Sequence, residues 1–70
     1  MNLELFKMLR KRNNLSAREL SVKAGLSPSY VAKVESGSIS PSVPIFVKLM
    51  KCLDCSMYEV YLIMFSEDST

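Results

Sequence analysis

Along the first dozen residues apolar and charged side chains recur with a helical period: Leu5, Phe6 and Leu9 fall inward, while Lys7, Lys11 and Arg12 fall outward. The spacing predicts a helix over residues 2–12. Asn13-Asn14 then tolerates turn conformations, and Leu15 returns to the core. Ser16-Ala17-Arg18-Glu19 has capping-box spacing, in which the Ser16 hydroxyl takes the Glu19 N–H and the Glu19 side chain reaches back to the Ser16 N–H. A second helix starts there. Leu20 and Ala24 share its apolar face, Ala17 and Val22 are less decisive, and Arg18, Ser21 and Lys23 fall elsewhere. Gly25 supplies the left-handed residue that ends a helix without a Cβ clash. Ser27-Pro28 is the next start signal, serine as N-cap and proline at the first helical position. Val31 and Val34 point inward from this third helix, and Gly37 closes it.

Ser38-Ile39-Ser40-Pro41 is a polar loop with one apolar anchor. Ser42 caps a fourth helix, with Pro44 in its first turn, where backbone N–H groups lack helical partners anyway. Ile45, Phe46, Leu49 and Leu53, with or without Cys52, form its buried stripe, and Lys48 and Lys51 face water. Ser56-Met57-Tyr58-Glu59 is a second capping box and opens a fifth helix that is apolar nearly all round. Met57, Val60, Tyr61 and Met64 suffice to cover the core, which leaves Tyr58, Leu62 and Phe65 on another face. That surplus marks either a homodimer interface or a helix buried more deeply in the monomer. The pattern predicts an all-α fold of five helices, forming one domain over residues 1–66 with a polar, frayed tail at 67–70.

Composition narrows the function. Seventy residues lie near the lower end of what folds alone, and an apolar fraction of 49% supplies a core. The longest apolar run, residues 60–65, falls far short of the ~18 residues of a membrane span. Glu4 and the charges from Lys7 to Arg12 argue against a secretory leader, so a cytoplasmic protein without a membrane partner is expected. Residues 1–35 carry seven basic and three acidic side chains, whereas residues 36–70 carry two and four. Positive charge thus gathers in the N-terminal half, as phosphate attraction would favour. With no histidine, only two glycines and no carboxylate pair on two buried elements, neither an enzyme nor a cofactor is expected. Cys52-Leu53-Asp54-Cys55 is formally a C-x-x-C, but it lacks the βαβ context of a redox motif and the two further ligands of a zinc site. Two reduced structural thiols are the first reading, and a redox-sensing pair or a metal shared across a dimer is the alternative.

Leu20, Ala24, Gly25, Leu26-Ser27, Val31, Val34-Glu35, Gly37 and Pro41 stand in the order and spacing of the lambda-repressor-like (Cro/repressor, XRE) family, which the chain resembles over residues 3–62. The resemblance implies a five-helix lambda-repressor-like fold with a helix-turn-helix at about residues 16–36. It also implies a transcriptional regulator of bacterial or phage origin, acting as a homodimer on an inverted repeat in double-stranded DNA. Regulators this small are similar to phage repressors and to the controller proteins of restriction-modification operons, so no small-molecule effector is expected.

On this resemblance Pro28, Ser29, Ala32 and Lys33 face the bases. Lys33 either donates to guanine O6 and N7 or meets a phosphate or solvent, and Pro28 and Ala32 offer only apolar contact. Direct readout is therefore thin, and DNA shape carries a share of the specificity. Phosphates fall to Ser27, Tyr30, Ser36, Ser38 and Ser40 and to N–H groups at the starts of the second and fourth helices. Arg12, Arg18 and Lys23 are either further phosphate contacts or plain solvated charges. Ala17 occupies the phosphate position at which many relatives carry glutamine, which weakens transfer of their contacts. Arg10 pairs with Glu35 across the fold, or both are solvated. Breaking one side of such a pair typically costs ~3–5 kcal/mol. A protein-interaction module on the same fold, antitoxin-like or a former repressor, is the rival function.

Overall fold

The computed structural model describes residues 1–66; the tail expected at 67–70 lies outside the described residues. Five helices follow in order: α1 (Leu3–Arg12), α2 (Ala17–Lys23), α3 (Tyr30–Glu35), α4 (Val43–Leu53) and α5 (Met57–Phe65). The described residues contain no strand, and none of their helices is long and apolar enough to cross a membrane. α1 packs against α3 and α5, and α2 against α3 and α4. Phe6, Leu20, Val31, Val34, Leu49, Leu53 and Ile63 are fully buried, so every helix contributes to one core. Met50 joins them, whereas Leu5, Ile45, Phe46 and Cys52 of the expected stripes are only half-buried.

Both predicted capping boxes form. Glu19 N–H donates to Ser16 Oγ at 3.0 Å and Ser16 N–H to Glu19 Oε1 at 2.8 Å. The Ser56–Glu59 box has the same arrangement at 3.1 and 2.9 Å. Asn residues tie the helix ends together. Asn2 caps α1, and its Nδ2 donates to Ser66 Oγ at 2.9 Å beyond the end of α5. Asn13 Nδ2 donates to the carbonyls of Leu9 and Leu53, both at 2.8 Å, which holds the end of α1 against the end of α4. Asn14 takes the left-handed conformation, as does Asp54 at the C-cap of α4.

Three expectations are corrected. α3 begins at Tyr30, not at Pro28: the Ser27 carbonyl accepts the Tyr30 N–H in a tight turn, and the Val31 N–H goes to Ser21 Oγ instead of closing a helical turn back to Ser27. Ser21, placed by periodicity off the apolar face, is completely buried. On α5 the core side is Ile63, with Val60 half-buried beside it, and not Met57, Tyr61 and Met64, which are exposed. A helix with apolar residues on every side gives periodicity nothing to select; the bonds that tie α5 to other elements are the Arg12 fork on Glu59 and the contacts of Asn2 with Ile63 and Ser66.

Candidate nucleic-acid interface

The turn between α2 and α3 is built from backbone hydrogen bonds that only a left-handed residue allows. Gly25, at φ +74°, lets its own N–H reach the Val22 carbonyl and the Leu26 N–H reach the Ser21 carbonyl, at 3.0 and 2.8 Å. Its absent Cβ would meet no atom within 4 Å, so the requirement for glycine is conformational and not spatial. Gly37 repeats the arrangement after α3, where the Ser38 N–H donates to the Lys33 carbonyl at 2.9 Å.

Two anchors then fix α3. Arg10 Nε and Nη2 donate to the two Glu35 carboxylate oxygens at 2.7 and 3.0 Å, and Arg10 Nη1 donates to the Leu15 carbonyl at 2.7 Å. The two side chains are only 9% and 12% exposed, so this forked pair is shielded from solvent. Val31 and Val34, both fully buried, form the second anchor. With that face committed to the core, Pro28, Ser29, Ala32 and Lys33 are all exposed on the opposite side.

The residues expected to meet phosphates differ in exposure. Ser27, Ser36, Ser38 and Ser40 are exposed, and Tyr30 and Ala17 are half-buried. Ser36 Oγ donates to the Lys33 carbonyl at 3.0 Å and lies 2.8 Å from Ser38 Oγ, so the hydroxyl pair that follows α3 is already ordered by internal hydrogen bonds. Arg18 and Lys23 are exposed on α2. Arg12 is engaged elsewhere: its Nη1 and Nη2 donate to the Glu59 carboxylate at 2.6 and 3.1 Å, which braces α1 against α5. That fork, together with the Ser56 N–H, holds the Glu59 carboxyl down to about 2. Nothing local signals this pair, because the partners stand 47 residues apart in the chain.

The cysteines lie at the junction of α4 and α5, Cys52 in the last turn of α4 and Cys55 in the link that follows it. Both are unpaired and half-buried, and burial pushes the Cys55 thiol up. Cys55 Sγ sits 3.7 Å from the Met50 carbonyl oxygen. Among the described residues no three or more His, Cys, Asp or Glu side chains are grouped to hold a metal ion.

Two short helices joined through a left-handed glycine, the second buried on one face and open on the other, define a helix-turn-helix. A helix-turn-helix family model matches residues 6–60, and the chain belongs to this lambda-repressor-like family. It is also 33% identical over 58 residues to the HTH-type transcriptional regulator SlrR of Bacillus subtilis (strain 168). That alignment covers 81% of this chain but 38% of the relative, so the chain spans well under half of the relative's length. No solved structure matches the chain.

Proposed function

We propose that residues 1–66 form a single helix-turn-helix domain, with its motif at about residues 16–36, that binds double-stranded DNA and regulates transcription as a homodimer on an inverted-repeat operator. The observation that carries this reading is α3. It has a fully buried face of Val31 and Val34, a shielded Arg10–Glu35 fork at its end, and exposed Ala32 and Lys33, with Pro28 and Ser29 exposed in the turn just before it. A helix anchored on one face with the other open to solvent fits the major groove. Membership of the helix-turn-helix family and the likeness to a transcriptional regulator support the same conclusion. The chemistry of the reading is recognition without catalysis.

Dimerisation draws its support from α5, where Tyr58 and Phe65 are 69% and 66% exposed and Leu62 lies half-buried between them in sequence. Tyr58, Leu62 and Phe65 recur at helical spacing, so together they make a stripe suited to a symmetric partner. The groove between α4 and α5, lined by Val43, Val47, Met50, Met57, Val60 and Met64, favours a second reading, a protein-interaction module on the same fold.

Salt titration separates the two. A DNA complex with several phosphate contacts loses affinity with a slope near −0.9 per contact on logarithmic axes. Fluorescence anisotropy with a labelled duplex should give a slope of several units. A flat salt response would shift the assignment to the interaction module.

A further inference from the structure

Ser21 sits on α2 with no exposed surface, and its side chain bonds both to α2 and to the start of α3. Its hydroxyl donates to the Ala17 carbonyl at 2.8 Å and accepts the Val31 N–H at 2.9 Å. Its own carbonyl accepts the Leu26 N–H that closes the Gly25 turn. One residue therefore holds both ends of the connection.

The second bond meets the first turn of α3. Ser29 occupies the N-cap position of α3 without a side-chain capping bond, and the N–H groups of a first helical turn have no partner within the helix. Ser27-Pro28 encodes a different start, a helix capped two residues earlier, in which the Val31 N–H would bond the Ser27 carbonyl. That carbonyl accepts the Tyr30 N–H instead, and the Val31 N–H goes to Ser21 Oγ. The sequence pattern thus encodes one hydrogen-bonding arrangement and the structure holds another, in which a buried hydroxyl ten residues upstream takes the Val31 N–H.

We propose that Ser21 is a specificity-determining positioning residue: it acts as the N-cap of the recognition helix from the neighbouring helix, and so sets where Pro28 and Ser29 meet the DNA relative to Lys33. The inference rests on the DNA-binding reading of α3. Removing the hydroxyl strands a buried N–H, and the segment recovers its partner by turning residues 27–30 toward the Ser27-capped form. Pro28 and Ser29 move with that turn. Lys33 does not, being tied to the half of α3 that Val34 and Glu35 anchor.

The test is Ser21→Ala, with wild-type protein and Lys33→Ala as references. Each is titrated by competition against the sequence wild type prefers and against every single base-pair substitution in one half-site. Relative affinities within one preparation cancel any loss of folded fraction, which a purely structural role would produce. Ser21→Ala should change the discrimination by roughly fivefold or more at base pairs that Lys33→Ala leaves unaffected, and keep it at the Lys33 position. Ser21→Cys, of similar size but with a weaker acceptor, should fall between the two and serves if the alanine variant does not fold. Ratios within about twofold of wild type at every base pair would overturn the role of Ser21 while leaving the DNA-binding reading intact. If wild type itself prefers no sequence, the DNA-binding reading falls, and this role falls with it.

Discussion

The residues that decide the binding face act by exclusion as much as by contact. Val31 and Val34 take one side of α3 out of solvent, and Arg10 consumes both oxygens of Glu35. Lys33 is left as the only charged side chain among the four exposed residues proposed to face the bases. A lysine on such a face can read guanine or hold a phosphate, and the two outcomes differ in their dependence on sequence. Lys33→Ala should weaken binding to the preferred site by about 1–3 kcal/mol and relax discrimination at one base position, measured by competition titration. An equal loss on all sequences would make it a phosphate contact.

At the scale of elements, the helix ends carry much of the organisation, and on α5 they act beside the buried Ile63. Ser56 and Glu59 cap it, Arg12 grips the same Glu59, and Asn2 meets Ser66 at its far end. Because the Arg12 fork holds Glu59 near 2, below its ordinary 4.5, the charged carboxylate favours the folded state above about pH 4.5 and that contribution fades as pH falls toward 2. Thermal melts at low salt should therefore show wild type losing its advantage over Glu59→Gln across that window. High salt should shrink the difference, since the fork lies at the surface. A gap that is constant from pH 6 to pH 2.5 would contradict the assignment.

The same elements show what a sequence can disclose. The capping boxes were legible because their partners lie three residues apart, and Gly25 and Gly37 because a left-handed cap has a strong residue preference. The late start of α3 was not, since the Val31 N–H meets a hydroxyl on another helix, ten residues away in the chain. Nor was the rotation of α5: with Met57, Tyr58, Val60, Tyr61, Leu62, Ile63, Met64 and Phe65 all apolar, no periodic signal singles out Ile63. The expected base-facing set is exposed throughout, whereas the Arg12 charge assigned in part to DNA is held by Glu59.

As a whole molecule the described chain has a basic, tightly anchored N-terminal half and an apolar outer surface on α5. These fit a division of labour in which α3 meets DNA and α5 meets a second copy. A twofold dimer would place two recognition helices about 34 Å apart, one turn of duplex. Leu62→Glu with Phe65→Glu adds charge to the stripe without touching α3, and should give monomers in sedimentation that bind DNA at least ~10-fold more weakly because two coupled sites become one. Dimers that persist in this variant would move the interface to another face.

The most direct measurement is selection of purified protein against a random duplex library near physiological salt, followed by sequencing of the bound fraction. The proposed twofold dimer predicts enrichment of an inverted repeat whose half-sites are centred about 10–11 base pairs apart. A folded, helical protein that enriches no sequence would contradict the assignment of α3 as a recognition helix.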